Sequence, residues 1–302
     1  MGMPPRISVI IPVYGPTLFL SRTIESVFQQ TLEPCELILV DDNDPGTEFR
    51  RQTENIVKNY RAKGRDLVYI QHASNRNGAV ARNTGVAAAS GDYISFLDSD
   101  DFYMPDRLEI LSEMLENSQK GIAGVYSGVE FRRRGKTYNK FSNARSGNFL
   151  VETLACKFML GTGSNLFIRR DVIEELNGFD EAFWRTQDYE FLVRLFEKYA
   201  LAGVPEILVV KNNENFNLPN FAKSLENREQ YLAKYRSLID EKDAPAQAYI
   251  IKSNYAFMGE LALKEGLRQE SRAMYKIASA KSALEPRDWM RRAALWTASW
   301  LR

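Results

Sequence analysis

Residues 91–107 read GDYISFLDSDDFYMPDR, and this stretch decides the fold predicted for the chain. Its segment 93–97 is apolar, contains aromatic and β-branched side chains and follows a glycine, which predicts a short buried strand. Three carboxylates, those of Asp98, Asp100 and Asp101, come directly after that strand. Because ligands bind beside the carboxyl ends of the strands in open α/β sheets, we expect these aspartates at a binding edge.

Two interpretations of these aspartates are open. Adjacent negative charges repel one another, so a cation among them would stabilise the group. Mg²⁺ and Mn²⁺ prefer oxygen ligands and are commonly held by one or two carboxylates together with substrate phosphates. The alternative is a solvated acidic turn that caps the helix expected after Pro105, since aspartate is a favourable residue at a helix N-terminus.

The surrounding segments alternate between strand and helix patterns. Strands are predicted at 7–13, 36–40 and 67–71, and helices at 17–30, 48–63 and 106–119, with an alanine-rich helix ending at residue 90. This alternation predicts a doubly wound α/β sheet. The strand at 36–40 also ends in acid, at Asp41, Asp42 and Asp44. In right-handed βαβ units, both acidic strand ends face the same crevice.

The chain lacks the glycine-rich phosphate-binding motifs of common nucleotide folds. No GxGxxG follows the first strand and no GxxxxGK[ST] occurs, so neither a dinucleotide fold nor a P-loop is predicted. Phosphates would instead be held by a metal and by cationic side chains. The stretch 75–85, NRNGAVARNTG, places Arg82 where its planar guanidinium would pair with a diphosphate. Gly78 and Gly85 are equally explained as turn and packing residues.

Composition narrows the function classes. The 302 residues are 44% hydrophobic with a formal net charge of +1, which predicts a globular chain and gives no support for a nucleic-acid partner. Cys35, Cys156 and the single histidine, His72, argue against a disulfide framework or a zinc site of His and Cys. The apolar run 7–13 is too short for a signal peptide, and no segment approaches the ~20 apolar residues of a membrane span. A cytoplasmic location is therefore expected.

Five motifs in order carry a resemblance to a known family. They are SVIIPVY at 8–14, ELILVDD at 36–42, RNTG at 82–85, DSD at 98–100 and PDR at 105–107. With these motifs, residues 1–110 resemble the nucleotide-sugar half of a family 2 glycosyltransferase with the GT-A fold. Gly15 departs from the asparagine that usually follows the tyrosine of the first motif in that family.

The resemblance implies a nucleotide-sugar site that contains a divalent metal. The residues implied to bind the nucleotide sugar are Pro12, Val13, Tyr14, Asp42, Arg82, Asp98 and Ser99. Asp42 would accept a hydrogen bond from a base N–H. Asp98 would lie near the ribose and the metal, and Asp100, the last residue of the DXD motif, would ligate Mn²⁺ or Mg²⁺ between the two phosphates. Family members often carry a further histidine late in this domain, but residues 211–217 contain none, which leaves a third metal ligand open.

The acceptor half is predicted at 111–218. Small residues at 161–164, among them Gly163 and Ser164, either leave room for a sugar or form an ordinary tight turn. Trp184 is either an apolar platform for a sugar ring or a core residue buried beside neighbouring phenylalanines.

A helical pattern begins near residue 188, with Asp188 in its first turn. A carboxylate there can simply offset the positive end of the helix dipole. The resemblance implies more, because Gln187 and Asp188 stand in the place of the family's Glu–Asp pair. Asp188 would then be the catalytic base. Gln187, which would lie near the acceptor, replaces the family's glutamate and so does not supply an acidic auxiliary group.

The resemblance thus implies a metal-dependent, inverting glycosyltransferase. It would move a sugar from a nucleotide sugar, with UDP as the expected nucleotide, to a hydroxyl of a glycan or lipid-linked acceptor in a single displacement. Two alternatives are a sugar-nucleotide nucleotidyltransferase and a non-catalytic carbohydrate-binding protein on the same fold.

The remaining residues, 219–302, are predicted to form a helical domain after a catalytic domain at 1–218. Helices are expected at 225–239, 244–266 and 269–283, the last two resembling a tetratricopeptide-like pair. The final stretch, 286–302, places tryptophans on one face and arginines on the other; these are Trp289, Trp296, Trp300, Arg287, Arg291 and Arg302. This pattern suits a helix at a membrane surface, which would give a peripheral contact, or a helix docked on its own domain.

Overall fold

The protein divides into two compact units. The computed structural model describes residues 5–65, 67–142, 145–213 and 220–281. The first unit is built from the described parts of Met1–Asn148 and Leu160–Asn215, and the second from those of Phe149–Met159 and Phe216–Arg302. The division into a catalytic domain at 1–218 and a helical domain at 219–302 stays a prediction about independently folding parts.

The first unit contains a mixed β-sheet. Its strands in the described part of the chain are β1 (Ile7–Val13), β2 (Glu36–Asp41), β3 (Val68–Gln71), β4 (Tyr93–Phe96), β5 (Phe102–Tyr103), β6 (Ile122–Arg133), β7 (Lys136–Phe141), β8 (Phe167–Arg169) and β9 (Ala200–Asn212). Their order is β3-β2-β1-β4-β8-β6-β9-β5, with β7 paired to β6. β1 is parallel to β2 and β4, and β2 is parallel to β3. The carboxyl ends of these four strands therefore lie at one edge.

Helices lie between most of the strands, and the first four of them occur in the order that the sequence predicts. They are α1 (Leu20–Phe28), α2 (Glu48–Ala62), α3 (Gly78–Ala88), α4 (Arg107–Glu116), α5 (Leu150–Leu154), α6 (Arg170–Glu175) and α7 (Gln187–Lys198), of which α5 belongs to the second unit. Asn77 begins α3, because its side-chain oxygen accepts hydrogen bonds from the backbone N–H groups of Ala79 and Val80. The predicted α/β sheet is confirmed.

β1 shows why the parallel strands read as continuous apolar runs. Ile7, Val9, Ile10 and Ile11 are each fully buried. Strands covered on both faces bury every side chain, whereas half-exposed strands alternate between apolar and polar residues. The segment ISVIIPV is therefore typical of a central parallel strand.

Several elements differ from the sequence-based prediction. The predicted helix at 17–30 begins at Leu20, and the small residues at 161–164 run into a 3₁₀ turn at Gly163–Asn165 that precedes β8. β5, β9 and α5 were not predicted at all. β5 has two residues and exists through its pairing with β9, so no local pattern could indicate it.

The second unit is helical. It contains α5 together with α8 (Phe221–Lys234), α9 (Arg236–Asp240), α10 (Ala244–Lys264) and α11 (Arg268–Lys281). α10 and α11 pack closely, since a Cβ at Gly259 would lie 2.7 Å from the Tyr275 ring. Tyr231 Oη donates to the Thr153 carbonyl at 2.9 Å and so ties α8 to α5. The helix predicted at 286–302 lies outside the described residues.

Within the described ranges, no helix is both long enough and apolar enough to cross a membrane.

Candidate active site

Arg82 joins the end of β4 to the start of α7. Its Nη2 donates to Asp98 Oδ1 at 2.7 Å, and its Nη1 donates to Gln187 Oε1 at 2.9 Å. The ion pair is only partly buried, with 14% of the Arg82 side chain and 27% of the Asp98 side chain exposed. Asp188 follows Gln187 directly. Of the residues predicted from the sequence, these four therefore lie together at the carboxyl edge of the sheet, in a region that we call the crevice.

Asp101 anchors the acidic turn that follows β4. It is fully buried, and its Oδ2 accepts hydrogen bonds from Thr162 Oγ1 at 2.8 Å and Ser164 Oγ at 2.7 Å. Its Oδ1 accepts from the Asn212 backbone N–H at 3.1 Å. Ser164 Oγ also accepts from the Asp98 backbone N–H at 2.9 Å. Asp101 is therefore committed to holding the turn, and Ser164 supports that turn from a buried position.

Asp100 is the acidic residue of the turn whose carboxylate is left available. No side chain in the described parts of the chain donates a hydrogen bond to the Asp100 carboxylate or forms an ion pair with it, whereas the Asp100 backbone carbonyl accepts from Asn212 Nδ2 at 2.7 Å. Burial raises the pKa of Asp100 to about 7, and the negative charges of Asp101 and Asp98 add to this, while Lys211 opposes it. A carboxylate in this position is stabilised by any cation that binds next to it.

Asp98 is held in its ionised form by cations. Burial alone would raise its pKa, but the charges of Arg82 and Lys211 outweigh that effect and hold the pKa of Asp98 below its usual range. Asp98 Oδ1 is occupied by Arg82, whereas among the residues described Oδ2 has only a long contact of 3.5 Å with Thr162 Oγ1. One oxygen of Asp98 therefore remains open to a ligand.

The described residues contain no group of three or more His, Cys, Asp or Glu side chains that would hold a metal ion by itself. Asp98 and Asp100 are two carboxylates, which is the number that magnesium sites commonly take from the protein when substrate phosphates supply further oxygens. The donor set of this turn therefore fits a divalent cation shared with a diphosphate.

Asp42 is buried at the end of β2, and its carboxylate already has four donors. Oδ1 accepts from His72 Nδ1 at 2.7 Å and from the Arg76 backbone N–H at 2.9 Å. Oδ2 accepts from Asn75 Nδ2 at 2.8 Å and from the Asn77 backbone N–H at 3.0 Å. A carboxylate offers about four lone-pair positions, so a base N–H would have to displace one of these donors. The contact between Asp42 and a base stays a prediction.

The residues after β1 differ in how much of each side chain a ligand could reach. Tyr14 is 61% exposed, Pro12 is partly buried, and Val13 is buried in the core. The Gly15 backbone N–H donates to Asn43 Oδ1 at 2.8 Å, which links this loop to the end of β2. Of the predicted base-contacting residues, Tyr14 is therefore the one that presents a large free surface.

Ser99 lies half-buried in the acidic turn, and its carbonyl accepts from Thr23 Oγ1 at 3.0 Å. On the acceptor side, Gly163 faces the ion pair, because a Cβ built there would lie 3.4 Å from Arg82 Nη2. Trp184 is 58% exposed, so the interpretation as a buried core residue is wrong. Its carbonyl accepts from Gln187 Nε2 at 3.3 Å.

Asp188 lies in the first turn of α7. Burial raises its pKa, and the charge of Asp98 acts in the same direction. The Tyr189 backbone N–H, which donates to Asp188 Oδ1 at 3.0 Å, and the charge of Arg82 oppose that increase. A carboxylate with a raised pKa is a better proton acceptor than an ordinary aspartate.

Three residues of this crevice were missed or undervalued by the sequence analysis. Lys211 and Asn212 come from β9, whose apolar segment 207–210 was a usable strand signal. His72 lies in the loop after β3 and is buried between Asp42 and Thr84, with its Nε2 3.0 Å from Thr84 Oγ1. Nothing in the local sequence indicates that contact.

Comparison with known protein families agrees with this geometry. The family model described as "Glycosyl transferase family 2" matches residues 8–176. The glycosyltransferase MJ1057 of Methanocaldococcus jannaschii is 28% identical over 218 residues, which cover 70% of this chain and 73% of that protein. The amylovoran biosynthesis glycosyltransferase AmsB of Erwinia amylovora is 29% identical over 193 residues, covering 62% of each. Across the first five relatives, the matched share of their own length runs from 34% to 73%.

Solved structures with a similar fold include two with bound nucleotides. TarS residues 1–349 from S. aureus, in complex with UDP, superposes with a TM-score of 0.53 at 16% identity and covers 98% of this chain and 91% of that one. The mannosyltransferase PcManGT from Pyrobaculum calidifontis, in complex with GDP-Man and Mn²⁺, gives 0.60 at 17% identity, covering 98% and 86%. At these identities the likeness concerns the fold.

Proposed function

Because the chain belongs to glycosyl transferase family 2, and is therefore a glycosyltransferase, we propose that it transfers a sugar from a nucleotide sugar to an acceptor hydroxyl with inversion. The family predicted from the five sequence motifs is confirmed. This membership favours a glycosyltransferase over the nucleotidyltransferase and the carbohydrate-binding protein. The donor, the metal and the stereochemistry are parts of the proposal.

The observation that carries the proposal is the arrangement around Arg82. It connects Asp98, in the predicted diphosphate site, with Gln187, the neighbour of the predicted base Asp188. In an inverting transferase, the attacking hydroxyl with its proton acceptor and the leaving group must lie on opposite sides of the same sugar carbon. A guanidinium that contacts both parts would bring the departing diphosphate and the acceptor together.

The proposal includes Mn²⁺ or Mg²⁺ held by Asp98 and Asp100. When bound, the cation would neutralise charge on the diphosphate and so make it a better leaving group. The chain's own contribution is to fix the acidic turn through Asp101, to keep Asp98 ionised and to leave Asp100 without a competing partner.

On the acceptor side, Asp188 would remove the proton from the attacking hydroxyl. Its raised pKa favours proton uptake, and its place in the first turn of α7 holds the carboxylate still. The exposed Trp184 would provide an apolar face for a sugar ring near this base. Gly163 would keep the crevice open beside Arg82, while Gln187 and Ser164 would position the groups around them.

UDP is the nucleotide we propose, and a glycan or lipid-linked glycan is the proposed acceptor. The structure of TarS with UDP supports the first, while PcManGT with GDP-Man makes a guanine nucleotide the alternative. AmsB, whose name assigns it to amylovoran biosynthesis, supports polysaccharide assembly. A cytoplasmic location and peripheral membrane contact through 286–302 stay predictions from the sequence.

Replacing Asp100 tests the diphosphate site. We expect Asp100→Asn to abolish the thermal stabilisation that UDP or GDP produces together with Mn²⁺, because the variant loses the carboxylate that is free to hold the cation. A ligand at a hundred times its dissociation constant stabilises a protein by about 2.7 kcal/mol, which a thermal-shift assay resolves readily. The same nucleotides are measured with EDTA in place of Mn²⁺.

Asp92→Asn is the matched control, since Asp92 is an exposed aspartate at the opposite end of the same strand. It should leave the nucleotide-dependent shift unchanged. A shift of wild-type size in Asp100→Asn, or a wild-type protein that binds neither nucleotide with Mn²⁺, would contradict the proposed function.

A further inference from the structure

Lys211 lies near the end of β9, beside the acidic turn. β5 and β9 are antiparallel, with Phe102 opposite Val210. Continuing this register places Lys211 opposite Asp101, and opposed residues in a sheet project from the same face. Asn212 holds β9 next to the acidic turn. Its backbone N–H donates to Asp101 Oδ1 at 3.1 Å, and its side-chain amide donates to the Asp100 carbonyl at 2.7 Å.

The ammonium group of Lys211 is surrounded by carboxylates but bound to none of them. Its Nζ donates to Thr162 Oγ1 at 3.3 Å, and it has no ion pair with any residue that the structure describes. Burial alone would lower the pKa of Lys211, but nearby carboxylates raise it above its usual range; these are Asp101, Asp98, Asp100 and Asp188. An ammonium has three donors, so two remain for a ligand.

Arg82 has already used most of its hydrogen-bond donors. Its guanidinium is occupied by Asp98 at 2.7 Å and by Gln187 at 2.9 Å, and it also donates to the Gly78 carbonyl at 3.3 Å. Of the two cations described in this crevice, Lys211 therefore has the larger fraction of unused donors. Its partly buried position also strengthens any hydrogen bond that it makes to an anion.

We propose that Lys211 donates directly to an oxygen of the donor's β-phosphate, the phosphate from which the sugar departs. The inference rests on the proposed function, because it requires that a nucleotide diphosphate binds at the acidic turn. A lysine ammonium is a compact point charge that suits phosphate oxygens, and in its protonated form it has no lone pair for a metal. Lys211 thus stabilises the charge that develops on the leaving diphosphate, from the β9 side of the crevice.

The competing explanation is that Lys211 only neutralises the cluster of aspartates. A neutral side chain would then make the cluster more negative, so Mn²⁺ would bind the free protein more tightly. The affinities for the nucleoside monophosphate and the nucleoside diphosphate of the same base would change by similar factors, since no specific phosphate contact would be lost. The two explanations therefore differ in how the effect depends on the number of phosphates.

The test compares Lys211→Met with Lys211→Arg in the full chain. Affinities for UDP and UMP, and for GDP and GMP, are measured by calorimetry at saturating Mn²⁺. We expect Lys211→Met to weaken diphosphate binding by roughly ten- to a hundred-fold, the usual effect of losing a hydrogen bond to a charged group. Monophosphate binding should change much less, and Lys211→Arg should recover most of the diphosphate affinity because it keeps the charge.

Lys136→Met is the control, because Lys136 is an exposed lysine on β7 of the same sheet. It should not change any of these affinities. Equal diphosphate affinity in Lys211→Met and wild type would overturn the inference while leaving the proposed function intact. A loss of the same size for monophosphate and diphosphate would also overturn it. A wild-type protein that binds neither diphosphate would overturn both.

Discussion

The surroundings of Asp188 act in opposite directions on the charge of its carboxylate. Burial and the negative charge of Asp98 raise its pKa, whereas the Tyr189 N–H and Arg82 stabilise its ionised form. Lys211 is also close enough for its own pKa to be raised by Asp188. The net result is an aspartate with a raised pKa, a property that suits a base working near neutral pH.

We expect Asp188→Asn to lower the rate of sugar transfer by about 10²- to 10⁴-fold, the usual contribution of a general base, while UDP and Mn²⁺ still bind. The base acts only when deprotonated. Wild-type kcat should therefore fall as the pH decreases through the pKa of Asp188, and a raised pKa places that decline above the range of an ordinary aspartate. Kinetics over a pH series at saturating donor measure both effects.

Asp171→Asn is the matched control. Asp171 also lies in the first turn of a helix, and its Oδ1 accepts from the next backbone N–H at 2.9 Å, as Asp188 does at 3.0 Å. The Asp171→Asn substitution should therefore change the rate of sugar transfer little. Near-normal turnover in Asp188→Asn, or an unchanged acidic decline in the residual activity of that variant, would reject Asp188 as the base.

Asp42 illustrates how far single residues could be interpreted from the sequence. Its place at the end of a parallel strand follows from the apolar run 36–40 and is confirmed. Its partners do not follow, because His72 and Asn75 lie 30 or more positions away and meet it only after β3 has paired with β2. Side-chain hydrogen bonds between distant segments depend on tertiary geometry that no local pattern encodes.

At the scale of elements, the four parallel strands β1 to β4 could be predicted from the sequence, whereas the remaining strands, β5 to β9, could be predicted only in part. β1, β2 and β4 are short apolar runs bounded by turns and rich in β-branched or aromatic residues, a combination that favours a buried strand over a helix. β5 and β8 have two and three residues, and their pairing partners β9 and β4 define them. The missed β9 also explains why the sequence analysis overlooked Lys211.

Arg107 shows how one helix shapes the candidate site. It is fully buried at the start of α4, and its guanidinium donates to the Ser164 carbonyl at 3.2 Å and to Ser127 Oγ at 2.9 Å. It also lies 4.6 Å from the centre of the Tyr103 ring. The PDR motif therefore supports the 3₁₀ turn that carries Gly163 and Ser164, a structural role beneath the crevice.

Gly124 tests the close pairing of β6 with β8. A Cβ at this position would lie 2.5 Å from the Phe167 carbonyl oxygen, and a backbone atom cannot move aside as a flexible side chain does. We expect Gly124→Ala to destabilise the protein by about 1–3 kcal/mol, the usual cost of overpacking. Denaturant unfolding of the purified variant measures this change.

Gly163→Ala is the comparison, because the nearest atoms to its added Cβ lie 3.4 Å away or farther. Its free energy of unfolding should stay within about 0.5 kcal/mol of wild type, the usual range for substitutions that disturb no packing. Equal stability of the two variants would show that β6 can shift away from β8 without cost.

At the scale of the whole molecule, the second unit draws on two separate stretches of the chain. Residues Phe149–Met159 belong with the C-terminal helices, and they contribute Phe149, Leu154 and Phe158, each at most 3% exposed. Asn254 Nδ2 donates to the Leu154 carbonyl at 3.0 Å, in addition to the bond from Tyr231 to Thr153. The predicted boundary after residue 218 would therefore separate these residues from their partners.

We expect a chain ending at residue 218 to be less stable than the full chain and to be cleaved by protease within 149–159. Burial of a leucine or phenylalanine side chain contributes about 1.5–3 kcal/mol, and whole domains are stable by only ~5–15 kcal/mol. Thermal unfolding and limited proteolysis measure the effect. A chain ending at 285 retains every described partner of that segment and serves as the control. Equal melting temperatures and equal protection at 149–159 in both truncated chains would mean that 1–218 folds independently.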